Sequence, residues 1–134
     1  MHALMHHFSL SITLVDFHHK SEATLDELAE YFESLPETDI NCDENYDVHL
    51  SDGVLTISLG KDLGTYVINK QTPNRQLWFS SPLSGPKRYD FLNGNWIYKR
   101  DGMSLHSRLT TELTQLYGKP VDLMHLLAKE VGHN

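Results

Sequence analysis

Six short β-rich segments lie between residues 47 and 99, and a turn signal separates each segment from the next. Apolar and polar residues alternate within the segments, whereas Gly, Pro, Asn and Asp mark the connections. In chain order the segments are DVHLS, VLTISL, TYVINKQ, QLWFSS, KRYDF and NWIYK, and the turns are SDG, GKDLG, TPN, PLSGP and NG. This series predicts an antiparallel meander.

One amphipathic helix is predicted before the meander in the chain and another after it. Residues 22–35 end at Pro36, which cannot continue a helix, and residues 104–118 begin with the cap residue Ser104 and close at Gly118. Their apolar stripes are Leu25, Leu28, Phe32 and Leu35 in the first helix and Leu105, Leu109, Leu113 and Leu116 in the second. We therefore expect an α+β fold, a two-layer sandwich in which two helices pack on one face of a twisted antiparallel sheet of about six strands.

The first 20 residues fit two different patterns. FSLSITL alternates with period two, which favours a strand, yet the first helix can also extend backward to a start near Phe17. A length of 134 residues supports one domain. We expect that domain to span residues 21–134, with residues 1–20 disordered or not native to the mature protein.

Apolar runs and cysteine content narrow the class of protein further. No apolar stretch approaches the roughly 18 to 20 residues of a membrane span, so we expect no membrane partner. Cys42 is the only cysteine, which excludes an intrachain disulfide and favours a reducing compartment.

The net charge of −7 is unevenly distributed along the chain. Residues 1–60 hold 12 of the 18 acidic residues and a single basic residue, Lys20, whereas residues 61–134 hold six acidic and ten basic residues. This polarity argues against nucleic acid as a partner of the acidic half. We expect that half to meet a cation, either a metal ion or a basic protein surface.

Acidic side chains form a stripe on the first predicted helix, opposite its apolar face. Spacings of four, four, three and four residues separate Glu22, Asp26, Glu30, Glu33 and Glu37. Like charges at these spacings destabilise a helix by roughly 0.2 to 0.5 kcal/mol per pair, and no base in the stripe offsets them. A solvated face that aids solubility is the alternative interpretation. The candidate metal ligands, called the acidic ridge below, are Glu22, Asp26, Glu27, Glu30, Glu33, Asp43, Glu44 and Asp47.

The acidic ridge offers only oxygen ligands. Carboxylates spread over an exposed surface select hard cations such as Fe²⁺, Fe³⁺, Mn²⁺ or Ca²⁺, and they bind weakly when no enclosed cage holds the ion. The sequence contains no EF-hand loop. His49 lies in a predicted strand beside the ridge and can add a nitrogen ligand, although a surface histidine without a metal is the commoner case.

Trp78 lies in a strand whose alternation points its side chain away from the core, with Leu77 and Phe79 facing inward. An exposed Trp framed by amides and an Arg is the composition of a protein-interface hot spot. The alternative is that Trp78 is half-buried under a neighbouring loop such as PLSGP. The candidate partner-binding residues, called the sheet surface below, are Val67, Asn69, Gln71, Gln76, Trp78 and Arg88.

Residues 22–117 resemble the frataxin family, and in particular frataxins of the animal type. The run GVLTISLGKDLGTYVINKQTPNRQLWFSSPLSGPKRYDF, followed by WIYKRDGMSLHSRLTTEL, carries the resemblance. TLDELAEYFE is similar to the acidic first helix of that family. Residues 1–21 do not resemble family sequence.

The resemblance implies a function in iron homeostasis. It implies a mitochondrial matrix location, weak binding of iron as Fe²⁺ or Fe³⁺ on the acidic ridge, and stimulation of the cysteine desulfurase–scaffold complex that assembles iron–sulfur clusters. In that interpretation the protein is a non-enzymatic activator and the sheet surface docks on the complex. The alternative, also implied by the resemblance, is a ferroxidase or iron-storage protein that oxidises Fe²⁺ on the ridge. We expect a monomer without a nucleic-acid partner.

Overall fold

A computed structural model describes residues 12–127, in which a long helix, a six-stranded sheet and a second helix follow one another. The helices are α1 (Leu14–Ser34) and α2 (Leu105–Tyr117), and the strands are β1 (Asp47–Ser51), β2 (Val54–Ser58), β3 (Thr65–Gln71), β4 (Gln76–Ser81), β5 (Gly85–Leu92) and β6 (Asn95–Ile97). Each strand pairs antiparallel with the next one in the chain, so the sheet order is β1-β2-β3-β4-β5-β6. This order confirms the predicted meander.

Two of the predicted turns are two-residue hairpin connections. Asp52 and Gly53 join β1 to β2 with φ of 52° and 75°, and Asn93 and Gly94 join β5 to β6 with φ of 51° and 83°. Positive φ at both central residues characterises the type I′ turn, whose twist matches that of the strands it connects. Asp-Gly and Asn-Gly are the sequences that this turn favours, so local sequence fixes the register of both hairpins.

The core lies between one face of the sheet and the two helices. Inward apolar residues of the central strands, among them Tyr66, Leu77 and Phe79, are at most 2% exposed and belong to one cluster with the apolar faces of both helices. A buried hydrogen bond from Trp96 Nε1 to Thr24 Oγ1, 2.9 Å long, ties β6 to α1. Both helices therefore pack on the same face of the sheet, which confirms the predicted α+β sandwich.

The first helix starts earlier than the sequence predicts. α1 begins at Leu14 because the Thr13 hydroxyl caps it, accepting a hydrogen bond from the backbone N–H of Asp16 at 3.1 Å. Phe17 is fully buried within the core cluster. The predicted boundary at residue 21 is therefore too late, since a core residue precedes it. Most of FSLSITL lies outside the described residues, where the predictions of a strand and of disorder stay predictions.

The second helix has the bounds that its capping residues predict. Ser104 Oγ accepts a hydrogen bond from the backbone N–H of Ser107 at 3.1 Å, and Gly118 ends α2 with a φ of 66°. The apolar stripe of α2 is buried, except that its last member, Leu116, is half-buried. Within residues 12–127, no helix combines the length and the hydropathy that a bilayer-spanning segment requires.

His106 in the first turn of α2 makes the fold sensitive to acid. Its side chain is 1% exposed, and its Nδ1 has no hydrogen-bond partner among the described residues. Burial, reinforced by nearby His125, lowers the pKa of His106 from its ordinary 6.5 to about 4. Between those pH values the unfolded chain binds a proton at His106 that the folded chain does not. Stability contributed by the neutral His106 is therefore lost as the pH falls below about 6.5.

We expect the free energy of unfolding to fall by about 1 kcal/mol between pH 7 and pH 5.5 through His106 alone. Urea unfolding of the chain at the two pH values measures the change. His106→Gln is the matched variant because it has no titratable group, and it should show a pH dependence smaller by that amount. Equal pH dependence in the two proteins would contradict the role assigned to His106.

Candidate functional site

The acidic ridge runs along the exposed side of α1 and onto β1. Asp26, Glu30 and Glu33 of α1 are exposed and share a shallow depression with His49 of β1. The depression has a volume of about 490 Å³. His49 thus lies beside the ridge, where the sequence placed it, and its role as a ligand stays a prediction.

The other predicted ligands lie apart from that depression. Asp43 and Glu44 are exposed in the connection before β1, Asp47 opens β1, and Glu27 is half-buried in a separate depression that includes His125. Within residues 12–127, no three His, Cys, Asp or Glu side chains come close enough together to hold a metal ion. The ridge is a set of dispersed carboxylates, and the metal role of its residues stays a prediction.

A basic residue that the helical pattern did not reveal faces the N-terminal end of the ridge. Lys70 of β3 places its Nζ 3.0 Å from Glu22 Oε2 and 5.9 Å from the ring centroid of Phe17. The hydrogen bond and the positive charge of Lys70 lower the pKa of the Glu22 carboxyl. The prediction of an unbalanced stripe is therefore wrong at Glu22. Lys70 and Glu22 share a depression with Asp26 and with Asp52, an acid that was not among the predicted ligands.

Removing the negative charges from the depression beside His49 should stabilise the fold and weaken Fe²⁺ binding. The triple variant Asp26→Asn, Glu30→Gln, Glu33→Gln removes repulsion between charges three and four residues apart, so we expect the free energy of unfolding to rise by about 0.5 to 1 kcal/mol. Denaturant unfolding and anaerobic Fe²⁺ calorimetry measure the two effects. Glu22 is left unchanged because Lys70 already pairs with it. Lower stability together with unchanged Fe²⁺ binding would contradict a functional ridge.

The residues of the sheet surface lie together on the outer face of β3, β4 and β5. Trp78 pairs across the strands with Asn69 on one side and Arg88 on the other, and Gln76 pairs with Gln71 beside them. All six candidates are half-buried except Arg88, which is exposed, while the residues that alternate with them in β4 are buried. The predicted facing of these strands is confirmed.

Trp78 is held in place by its neighbours on the sheet surface. Arg88 Cζ lies 4.4 Å from the centroid of the Trp78 ring, and the indole Nε1 donates a hydrogen bond to Gln76 Oε1 at 3.0 Å. Gln76 Nε2 in turn donates to Asp90 Oδ1 at 3.2 Å. The outward direction of Trp78 is confirmed, whereas its role as an interface hot spot stays a prediction. The ring points outward, and it is half-buried, with Arg88 of β5 stacked over it.

A buried carboxyl group between α2 and the sheet escaped the sequence analysis. Glu112 is 6% exposed and accepts hydrogen bonds from Tyr66 Oη at 2.7 Å, from Ser84 Oγ at 2.6 Å and from Ser81 Oγ. Burial, together with the hydrogen bond to Glu112, raises the pKa of Tyr66 well above its ordinary value. The signal was present in the sequence, because Glu112 follows Leu109 by three residues and so lies on the apolar stripe of the helix.

The Frataxin-like domain family matches residues 10–119 of the chain. The mitochondrial frataxin homolog of Drosophila melanogaster is 53% identical over 108 residues, which cover 77% of this chain and 56% of that protein. Mitochondrial frataxin of Caenorhabditis elegans is 45% identical over 97 residues, which cover 72% of this chain and 71% of that protein. The chain thus spans little more than half the length of the fly relative.

A solved structure of similar fold is a trimeric frataxin from the yeast Saccharomyces cerevisiae, complexed with ferrous iron. Its TM-score is 0.64 at 45% sequence identity, and the match covers 74% of this chain and 86% of the yeast chain. The yeast protein is a trimer, which does not match the predicted monomer. The family match also begins at residue 10, inside the segment that the sequence placed outside the domain.

Proposed function

Because the chain belongs to the frataxin family, we propose that it is an iron-binding protein of iron–sulfur cluster biogenesis that docks on the cysteine desulfurase–scaffold complex and stimulates sulfur transfer. The sheet surface docks, and the acidic ridge binds Fe²⁺ or Fe³⁺ weakly or meets a basic protein surface. The fly and nematode relatives are named as mitochondrial proteins, which supports a mitochondrial location. We assign the protein to the matrix, where that complex would be its partner.

The outward-facing Trp78 ring, with Arg88 stacked on it, is the observation that best supports docking. Trp and Arg are the residues most enriched at interface hot spots, and here they stack on each other at 4.4 Å. Helices α1 and α2 lie on the opposite face of the sheet, so neither of them covers the indole. A ring already fixed by Gln76 and Arg88 loses little conformational entropy when a partner covers it.

Iron fits the donors of the ridge. Fe²⁺ and Fe³⁺ are hard cations, and the exposed donors around the depression of Asp26, Glu30 and Glu33 are carboxylate oxygens, with His49 beside them. The complex of the yeast relative with ferrous iron supports the same assignment. Dispersed and exposed carboxylates bind iron weakly and release it readily, which suits a protein that responds to iron during cluster assembly.

The activator is better supported than the ferroxidase. Oxidation of Fe²⁺ by O₂ needs ligands held in a fixed arrangement with room for the oxidant. The ridge carboxylates of residues 12–127 are dispersed instead of gathered into such a set. Docking requires only the preorganised sheet surface.

Two rates measured side by side test this assignment. The first is sulfide production from cysteine by the desulfurase–scaffold complex, with and without the chain and Fe²⁺. The second is O₂ consumption by the isolated chain with Fe²⁺. We expect the chain to raise the first rate several-fold and to leave the second at its level in buffer. A raised O₂ consumption with unchanged sulfide production would favour the ferroxidase instead.

A further inference from the structure

A groove of about 630 Å³ runs from Trp78 across β5 to the segment that follows β6. Cationic side chains dominate its lining, and they are Lys87, Arg88, Lys99 and Arg100. Only one acid, Asp90, lies among the residues of its lining. The groove therefore carries a local excess of positive charge in a chain whose net charge is −7. Lys87, Lys99 and Arg100 were not among the predicted partner-binding residues.

The single acid of the groove is already engaged. Asp90 Oδ1 accepts a hydrogen bond from Gln76 Nε2 at 3.2 Å, and Asp90 Oδ2 lies 3.8 Å from Lys99 Nζ. Among the residues that the structure describes, no carboxylate lies within salt-bridge distance of Lys87, Arg88 or Arg100. Three cations of the groove are thus left for an external anion.

Apolar surface separates the cations of the groove. Trp78, Pro86 and Tyr98 also line it, and Lys87 Nζ lies 5.6 Å from the centroid of the Tyr98 ring. Lys87 Nζ also donates a hydrogen bond to the backbone carbonyl of Ser84 at 2.8 Å, which holds its ammonium at the rim. Alternating charges and rings suit a ligand that carries both carboxylates and apolar side chains.

We propose that this groove receives an extended acidic segment of the desulfurase–scaffold complex, with carboxylates against Lys87, Arg88 and Arg100 and apolar side chains against Trp78 and Tyr98. The inference rests on the docking function proposed above and adds the chemistry of the partner. A protein segment suits the groove better than nucleic acid, because the acidic remainder of the chain repels a long polyanion. A second copy of this chain, offering its own acidic ridge, is the competing occupant that the test must separate.

Charge neutralisation tests the groove in the intact chain. Lys87→Gln with Arg100→Gln removes two of the three groove charges that no described carboxylate pairs with, and Lys61→Gln with Lys119→Gln removes two charges outside the groove as the matched control. In titrations against the desulfurase–scaffold complex we expect the groove variant to bind about tenfold more weakly at 50 mM salt, and the difference to shrink to about twofold or less at 500 mM. The control should stay within about twofold of wild type.

The outcomes of this titration separate the two proposals. The proposal of an acidic segment is overturned if both double variants weaken binding equally, or if the groove variant does not weaken it. The docking function still stands in either case, provided that Trp78→Ala weakens binding to the complex. Absence of binding by the wild-type chain overturns both. Tighter binding of the chain to a single-stranded oligonucleotide than to the complex would assign the groove to phosphate and also overturn the inference.

Carbodiimide cross-linking identifies the occupant directly. The reagent joins a lysine amine to a carboxylate in contact with it, with loss of water, and mass spectrometry then locates the amide. In the mixture with the complex we expect Lys87 joined to an Asp or Glu of the partner, and we expect that product to be absent with Lys87→Gln. Links to Asp26, Glu30 or Glu33 of a second copy would assign the groove to self-association and overturn the proposal.

Discussion

Glu112→Leu is expected to lower the free energy of unfolding by about 3 kcal/mol or more. Leucine fills the site with an apolar side chain of similar size but offers no acceptor to the hydroxyls of Tyr66, Ser81 and Ser84. Each buried polar group left without a partner costs roughly 1 to 3 kcal/mol. The Tyr66 side chain is fully buried, so its hydroxyl cannot turn to solvent for a replacement. Urea unfolding at pH 7 measures the loss.

Two variants control for helix propensity and for packing. Glu112→Gln keeps one acceptor oxygen in the site, so we expect it to lose only about 1 kcal/mol. Thr111→Leu places a leucine at the exposed neighbouring position of α2 and should change stability by no more than about 0.5 kcal/mol. A Glu112→Leu protein as stable as wild type would show that the hydroxyls find other partners and that the carboxyl group contributes nothing to the fold.

The hydrogen-bond network of Glu112 also shapes the start of the cationic groove. Ser81 Oγ, which donates to Glu112, accepts hydrogen bonds from the backbone N–H groups of Leu83 at 2.9 Å and Ser84 at 3.0 Å. These bonds fix the turn between β4 and β5. The carbonyl of Ser84 in that turn accepts the hydrogen bond of Lys87. A buried group of α2 therefore positions a cation on the surface of the sheet.

Most of the sheet was predictable because its determinants are local. The alternation in TYVINKQ and QLWFSS sets which side chains face inward, and Asp-Gly and Asn-Gly set the two hairpin turns. The outward direction of Trp78 follows from the same alternation. Its stacking on Arg88 does not, because that contact depends on how β4 and β5 align. The predicted turn PLSGP did not fix that alignment, since its last two residues, Gly85 and Pro86, belong to β5 and only residues 82–84 connect the strands.

The errors arose where contacts join elements distant in the chain. Lys70 balances Glu22 from a position 48 residues away, which the charge pattern of one helix cannot reveal. Phe17 enters the core from a segment whose first residues resemble a strand, because Thr13 caps the helix earlier than expected. Glu112 is different, since its spacing was visible. Its hydrogen-bond partners were not visible, because Tyr66, Ser81 and Ser84 lie 28 to 46 residues away in the chain.

Trp78→Ala is expected to weaken binding to the desulfurase–scaffold complex by about 2 kcal/mol or more, which is roughly thirtyfold in affinity. The indole is the largest side chain of the sheet surface, and a partner that covers it desolvates both the ring and the Arg88 guanidinium stacked on it. The same change should cost only about 1 kcal/mol of folding stability, because the half-buried ring contacts neighbours on the surface and not the core. Titration against the complex and urea unfolding of the free chain measure the two effects.

Neighbouring positions provide the controls for Trp78. Arg88→Ala should weaken binding in the same direction, because it removes the guanidinium that both stacks on the ring and faces the groove. Ser80→Ala, exposed two residues further along β4, should leave both affinity and stability within about 0.5 kcal/mol of wild type. Fe²⁺ binding should be unchanged in all three variants, since the ridge lies on α1 and β1. If Trp78→Ala instead lost several kcal/mol of stability while it bound the complex normally, the indole would be a structural residue and the docking surface would have to lie elsewhere.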